Sequence, residues 1–328
     1  MNPALHGWPL SPIRQGETAP AGQLNSTGFH FMIKNLLVGL VGLVALCLAT
    51  ATYAVAARAA DTTKIVLIAG HPSHGPGEHE FNAGCKLLCK CLAQVPGIEP
   101  VVVTGGWPKD ESVFDGAKAL IFFMDGGGGH PMIQGDHLAK LQKLVDKGVG
   151  LACLHYAVEV PKGEPGDKFL DWLGGYYETG YSTNPHWKAE IRALPKHPIT
   201  SGVKPFAIGD EWYFNVRFRP EMKGVTPIIV AKPDDHTRQG VSAAPRGPYK
   251  HILEAKGRDE VLAWVVERPD GGRGFGFTGG HFHKNWGDPN FRKLVLNAIL
   301  WTAGLDVPAA GVESQVTPED LKENLDPK

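Results

Sequence analysis

Short apolar runs and amphipathic segments alternate along the chain from residue 64 onward. Four apolar runs end in turn residues: 64–69, 101–103, 119–124 and 149–154. Runs of this kind are typical of strands buried on both faces of a sheet. Between them, apolar residues recur at helical spacing from about Glu80 to Leu92 and from Leu138 to Val145. The pattern predicts an α/β fold with a doubly wound, mostly parallel sheet flanked by helices.

The pattern changes between residues 176 and 218. Lys188–Leu194 and Glu211–Phe218 alternate polar with apolar residues, which predicts half-exposed strands. We therefore expect an antiparallel insertion around 176–218. Three buried strands and an amphipathic helix are predicted after it: 228–231, 261–266, 275–278 and 291–301. The last segment, 305–328, is a predicted polar C-terminal tail.

The N-terminal region has the pattern of an export signal. Lys34 precedes an apolar stretch, Leu36 to Ala57, that carries no charge. A positive residue, an apolar run and the small-x-small end Ala57-Arg58-Ala59 form a secretory signal pattern. We predict an N-terminal extension with a signal peptide over residues 1–59, and an exported, periplasmic or extracellular domain over 60–304. The apolar stretch is also long enough to span a bilayer, so an uncleaved membrane anchor is the alternative.

Composition and glycine motifs exclude several classes of protein. The 33 basic and 34 acidic side chains give a formal charge of -1, which provides no basic field for nucleic acid. The glycine run at 126–129 lacks the Lys-Ser/Thr of a phosphate-binding loop, and no Gly-x-Gly-x-x-Gly follows the first strand. We therefore expect no nucleotide cofactor. The cysteines after the signal do not have zinc-site spacing and are expected to be buried thiols.

Histidines follow four of the predicted strands. They are His71, His74 and His79 after the first, His130 after the third, His155 after the fourth, and His281 and His283 after 275–278. Ligands of open α/β sheets bind outside the carboxyl ends of the strands, so we expect these imidazoles at one rim. His281 and His283 alternate, which on an extended segment would place both on one face. The alternative for any one ring is a loop residue satisfied by backbone carbonyls.

Several imidazoles with a carboxylate make an open site for zinc, manganese or iron(II). The predicted metal ligands are His74, His79, His155 and His281. None of the spacings is a strong metal motif, so the metal remains a hypothesis that depends on the predicted convergence. A small-molecule substrate would bind in the positions that the ligands leave open.

Several short motifs occur in order between Lys64 and Gly304. They are the glycine-rich, histidine-containing loop after the first strand, Gly-Leu-Ala-Cys-Leu-His155, His197-Pro198-Ile199-Thr200-x-Gly202, Asp210-Glu211-x-Tyr213, Gly280-His281 with Trp286, and Asn297-Ala-Ile-Leu-Trp301. In these motifs the chain resembles the ThuA-like (trehalose utilisation) family. That family is a branch of the class I glutamine amidotransferase-like fold, a flavodoxin-like architecture.

The resemblance directs attention to His155. True amidotransferases present a cysteine at the corresponding strand-to-helix elbow, within Gly-x-Cys-x-Gly. This chain has Leu154-His155-Tyr156-Ala157 there, and Cys153 lies earlier, inside the predicted strand. A thiol inside a strand lacks the exposure that an elbow gives its nucleophile, so glutamine hydrolysis is not expected. His155 is expected to be a metal ligand or a general base.

The resemblance implies an exported enzyme of carbohydrate metabolism, an isomerase, lyase or hydrolase acting on a keto-sugar or glycoside. Expected catalytic residues are His155, Glu211 and His281, which would move protons beside a carbonyl. Expected substrate-binding residues are Tyr156, His186, Tyr213, His283 and Trp286. The alternative for Glu211 is an ion pair with Arg217 or Arg219. The alternative for the whole protein is a non-catalytic carbohydrate-binding or accessory module on an amidotransferase-like fold.

Overall fold

The fold is built around a seven-stranded sheet, as seen in a computed structural model that describes residues 62–239 and 249–328. The strands are β1 (Thr63–Ala69), β2 (Ile98–Val103), β3 (Ala117–Phe123), β4 (Gly150–Leu154), β5 (Glu159–Val160), β6 (Gly175–Glu178), β7 (His186–Ile191), β8 (Phe206–Glu211), β9 (Arg217–Phe218), β10 (Val225–Ala231), β11 (Glu260–Glu267) and β12 (Arg273–Phe277). The central sheet has the order β10-β11-β12-β4-β3-β1-β2. Strands β2, β1, β3, β4 and β12 are parallel, and β11 runs antiparallel between β12 and β10.

Helices cover both faces of this sheet, which confirms the predicted doubly wound architecture. They are α1 (Phe81–Leu92), α2 (His137–Val145), α3 (Glu164–Leu173), α4 (Lys250–Leu253) and α5 (Pro289–Thr302). Ile65 and Leu67 of β1 pack in one hydrophobic cluster with α1 and α5. Val66 and Ile68 pack in the other, with α2 and α3. Successive residues of β1 therefore contact opposite layers, which is why the strand is apolar throughout.

The predicted insertion is present, but its strand boundaries differ from the prediction. Residues 175–218 contain β6 to β9, in which β7 pairs antiparallel with β8 and β6 pairs antiparallel with β9. The predicted strand Glu211–Phe218 is wrong, because β8 ends at Glu211 instead of beginning there. Trp212, Tyr213 and Phe214 are all buried, and Asn215 has a positive φ of 56°. Consecutive burial and a left-handed residue are incompatible with a half-exposed strand.

The connections of the sheet locate its binding edge. From β1 the chain crosses to β2 on one side and then to β3 on the other, so the strand order reverses at the β1/β3 pair. Crevices outside the carboxyl ends of such strands are the usual ligand sites of open α/β sheets. The loops after β1, β3, β4 and β12 all open at this edge.

The C-terminal segment packs back onto the loop after β1. The Asp326 backbone N–H donates to Glu80 Oε2 at 2.7 Å, and Lys328 Nζ donates to the carbonyl oxygens of Gly75 and Glu78. The segment 305–328 thus braces the loop that carries His79. Within the two described ranges, no helix combines the length and apolar character that crossing a bilayer requires. The predicted signal at 36–57 lies outside the described residues.

Candidate functional site

Three histidines and one glutamate from separate loops converge at the carboxyl edge of the sheet. His79 follows β1, His155 follows β4, His281 follows β12, and Glu211 ends β8. Each offers one ligand atom, and these atoms lie within 4.8 Å of one another. His79, His155 and His281 are almost completely buried, and Glu211 is mostly buried. We call these four residues the imidazole cluster.

The backbone at this cluster is in an uncommon conformation. His79 and His155 have positive φ values of 45° and 54°. A non-glycine residue in the left-handed region costs of order 1 kcal/mol, and such residues often mark functional sites. At His155 the left-handed turn comes directly after β4, and its ring points into the cluster instead of continuing the strand.

Hydrogen bonds to the outer nitrogens fix the tautomers of two rings. His155 Nδ1 lies 2.9 Å from the Thr278 carbonyl oxygen, and His79 Nδ1 lies 3.1 Å from Asp125 Oδ1. Carbonyl and carboxylate oxygens accept only, so each Nδ1 carries a proton and donates it. In the neutral rings both Nε2 atoms therefore present lone pairs. These two atoms face each other at 3.0 Å, which is favourable only when a metal ion or a proton is shared between the two rings.

The third imidazole and the carboxylate complete the cluster. His281 Nδ1 lies 2.9 Å from His79 Nε2 and 3.1 Å from Glu211 Oε2. Glu211 Oε2 also lies 3.4 Å from His155 Nε2. Donor atoms bound to one tetrahedral zinc at about 2.0–2.1 Å are about 3.4 Å apart. The spacing of the four donor atoms fits a divalent metal ion.

Burial and mutual contacts divide the charge within the cluster. Burial tends to raise the pKa of Glu211, but its contacts with His155 and His281 outweigh this and hold the pKa well below its usual range. Burial tends to lower the pKa of His281, and the contact with Glu211 raises it above its usual value. Burial, reinforced by His155, lowers the pKa of His79 strongly. His79 is therefore neutral and Glu211 ionised at neutral pH.

Asp125 and Asp210 support the cluster, and sequence reasoning did not select either of them as a site residue. Asp210 is buried and accepts hydrogen bonds from the backbone N–H groups of Gly280 and His281, at 2.8 and 3.0 Å. Asp125 orients His79, in the way that carboxylates orient metal-bound histidines. The sequence did contain a hint for both residues. Asp125 directly follows a predicted strand, and Asp210 directly precedes Glu211, which was selected.

Side chains that sequence reasoning did select surround the cluster, and of these Tyr213 is buried and His186 is exposed. The Tyr213 hydroxyl lies 3.4 Å from His155 Nε2. The His186 side chain is 54% exposed, and its Nε2 lies 3.7 Å from Glu211 Oε1. The Tyr156 ring lies 5.7 Å from the His79 ring, between centroids. The His74 ring stacks on His79 at 3.6 Å. Three of the four predicted metal ligands, His79, His155 and His281, belong to the imidazole cluster. His74 lies on its outer side, and the fourth member of the cluster is Glu211.

His283 and Trp286 are not brought to this cleft. The chain enters a 3₁₀ turn at His283, so the expected extended segment does not form and the ring points away from His281. His283 is buried, has no hydrogen-bond partner among the described residues, and has a pKa lowered by burial to about 4. Trp286 is fully buried and packs on Phe123 and Phe291, so its ring belongs to the core.

Two alternatives from the sequence are also decided by contacts. Glu211 does not pair with Arg217 or Arg219, since Arg217 binds Glu178 at 2.8 Å and Arg219 donates to backbone carbonyls. Cys153 is fully buried inside β4, and burial raises the pKa of its thiol. A buried neutral thiol is a poor nucleophile, as expected from its position before the elbow.

Glu159 is a second carboxyl group near the cleft, and no sequence pattern pointed to it. It lies on β5, four residues after His155, and is buried. Thr179 Oγ1 donates to its Oε1 at 2.5 Å. Burial, opposed by this hydrogen bond and reinforced by Glu211, raises the pKa of Glu159 to about 7.

Comparisons with known proteins agree with this fold. Solved structures that match include a ThuA-like protein from Parabacteroides merdae ATCC 43184, which is 17% identical with a TM-score of 0.52 and covers 78% of this chain and 94% of that one. Another, from Bacteroides uniformis ATCC 8492, is 16% identical with a TM-score of 0.53 and covers 75% of this chain and 93% of that one. At these identities the structures show a shared fold. No curated protein gave a significant match. A family model described as ThuA, trehalose utilisation, matches residues 76–302, and the chain therefore belongs to the ThuA family.

Proposed function

We propose that this protein is an exported enzyme of carbohydrate metabolism that binds a divalent metal at the imidazole cluster and transfers protons on a keto-sugar or glycoside. The observation that carries the proposal is the 3.0 Å contact between the Nε2 atoms of His79 and His155, beside His281 and Glu211. Such a contact is unfavourable unless a cation is shared by the two rings. Membership of a family linked to trehalose utilisation supports a carbohydrate substrate.

The three imidazoles are suited to hold the metal and to leave a position open for substrate. The outer nitrogens of His155 and His79 are held by Thr278 and Asp125, and Asp210 holds the backbone N–H of His281. Zinc, manganese and iron(II) all accept imidazole and carboxylate ligands. When bound, such a metal polarises a carbonyl and stabilises the negative charge that develops on its oxygen.

Glu211 is suited to take the proton. Its Oε2 atom faces the imidazoles, while its Oε1 atom accepts a hydrogen bond from Asn184 Nδ2 at 2.9 Å and faces the exposed His186. An ionised carboxylate between the three imidazoles and the surface can abstract a proton from the carbon beside a bound carbonyl. Tyr156, which is partly exposed, is placed to contact the sugar, and the buried Tyr213 hydroxyl lies beside His155.

The test combines metal analysis with turnover. The mature protein is expected to carry about one equivalent of zinc, manganese or iron, and to exchange a substrate C–H proton with D2O on a 3-keto disaccharide. His281→Ala should lose the metal, and Glu211→Gln should lower exchange by about 100-fold or more. His283→Ala is the matched control, because His283 is also buried but does not contact the cluster.

Three outcomes would contradict the proposal. One is a protein that takes up no metal when offered each of the three. Another is a His283→Ala variant that loses metal as completely as His281→Ala. The third is binding of disaccharides without turnover, which supports the accessory-module alternative. Export is tested separately, by sequencing the N-terminus of the protein recovered from the periplasm or medium, where a start near residue 60 is expected.

A further inference from the structure

Glu159 lies across the Tyr156 ring from the imidazole cluster, in a part of the cleft that the proposed mechanism does not use. The Tyr156 ring contacts His79, and its hydroxyl lies on the Glu159 side. A Cβ atom built on Gly127 would lie 3.6 Å from the Tyr156 hydroxyl and 3.8 Å from Glu159 Oε1. The carboxyl and the phenol thus face the same small space above the glycine loop.

The glycine loop leaves this space open. Gly126 packs so closely on the turn that a Cβ there would meet the Tyr156 carbonyl oxygen at 2.2 Å. Gly127 has a positive φ of 69°, which glycine adopts without strain. Cβ atoms on Gly128 and Gly129 would meet nothing within 4 Å. The glycine run, unexplained by phosphate binding, therefore adds no side chain to the space beside the Tyr156 hydroxyl and Glu159 Oε1.

The surroundings of Glu159 favour the protonated acid. The groups that interact with it electrostatically are the phenols of Tyr156, Tyr177, Tyr213 and Tyr249 and the carboxylate of Glu211. Among the residues that the structure describes, none of these groups is a cation. Thr179 is the hydrogen-bond donor that opposes this effect. Two carboxyl groups at one cleft, one held ionised and the other with a raised pKa, are the arrangement of a base and an acid.

We propose that Glu159 is a further catalytic residue, the acid that protonates the leaving glycosidic oxygen of a keto-glycoside. The inference rests on the proposed function and specifies its reaction as an elimination. Because Glu159 lies beyond Tyr156 from the imidazoles, it acts on an oxygen other than the carbonyl oxygen that the cluster polarises.

The step balances without an oxidant or reductant. Glu211 takes the proton from the carbon that lies between the carbonyl carbon and the glycosidic carbon. The C–H electron pair forms a C=C bond, and the bond from the glycosidic carbon to oxygen breaks with its own pair. That oxygen takes the proton of Glu159. The products are an unsaturated keto-sugar and a free alcohol or second sugar.

The experiment measures C–H exchange in D2O and glycoside cleavage separately, on the same metal-loaded enzyme with a 3-keto disaccharide. Exchange needs the base, whereas cleavage needs both base and acid. Glu159→Gln should lower cleavage by about 100-fold or more and leave exchange within about threefold. Glu211→Gln should lower both. Wild-type cleavage should fall as the pH rises above about 7, where Glu159 ionises, and the glutamine variant should lose that decrease.

Thr179→Val provides a second test that does not alter the carboxyl group. Removing the hydroxyl takes away the hydrogen bond that stabilises ionised Glu159, so the alkaline decrease in cleavage should move to higher pH. The inference is overturned if Glu159→Gln cleaves at the wild-type rate, if exchange and cleavage fall together, or if the Thr179→Val profile does not move. A wild type that shows no exchange on any keto-sugar overturns the proposed function, and the role of Glu159 with it.

Discussion

Buried histidines occur in two contrasting settings at the same edge of the sheet. His130 is fully buried, its Nε2 donates to the Ala157 carbonyl at 3.1 Å, and its Nδ1 accepts from the Met132 backbone N–H at 3.1 Å. One neutral tautomer satisfies both nitrogens. His155 is equally buried, but only its Nδ1 has a backbone partner, and its Nε2 faces another imidazole.

The difference shows that partners, and not burial, separate a structural histidine from a candidate ligand. Backbone groups of Ala157 and Met132 satisfy both ring nitrogens of His130, so this histidine needs no further hydrogen-bond partner or ligand. In the imidazole cluster the Nε2 atoms of His79 and His155 face each other, and the positive charge that this contact needs comes from a bound cation or from a shared proton. Substitutions and pH should therefore affect the two settings differently.

The largest difference is expected for metal-linked stability. At 1,000 times its dissociation constant, a metal that binds only the folded state adds about 4 kcal/mol, or about 10 °C in melting temperature. Stripped wild type should show this increase when zinc or manganese is added, and His79→Ala should not. His130→Gln is the control and should keep the increase. Equal increases in melting temperature for wild type and His79→Ala would contradict the distinction between His130 and the imidazole cluster.

A smaller effect is expected from acid on His130. Burial lowers its pKa to about 4, against 6.5 for a free imidazole. Between these values the unfolded state binds more protons, so stability falls as the pH drops, by about 3 kcal/mol in total. Urea unfolding from pH 6.5 to 4 should show that wild type loses this much more than His130→Gln. Parallel curves for the two proteins would mean that His130 does not titrate as its burial implies.

The smallest effect is expected at the exposed rim. His186 contacts Glu211 only at 3.7 Å and is more than half exposed, so solvent screens the interaction. His186→Ala should change metal affinity by less than about threefold and unfolding free energy by less than about 0.5 kcal/mol. Competition with a chelator measures the affinity, with His281→Ala as the reference for a lost ligand. A loss as large as that of His281→Ala would place His186 among the ligands.

Much of the fold was predictable because periodicity reports local burial. The apolar runs at 64–69 and 119–124 correspond to β1 and β3, and the helix expected from Glu80 is α1. The convergence of His79, His155 and His281 followed from the rule that strand ends of a parallel sheet share one edge. The end of β8 was not predictable from the alternation of polar and apolar residues. Trp212, Tyr213 and Phe214 are buried at three consecutive positions, so their burial does not follow that alternation.

The sequence by itself determined which segments become strands, and hence which residues reach the carboxyl edge, because strand formation depends on neighbouring residues. Only the tertiary structure decided which of those residues face one another. A 3₁₀ turn separates His283 from His281, the pairing of β7 with β8 places Glu211 beside the imidazoles, and the packing of Gly126 brings Glu159 to the cleft. The contacts of Glu211 and Glu159 join residues far apart in the chain, whose distances no local pattern encodes.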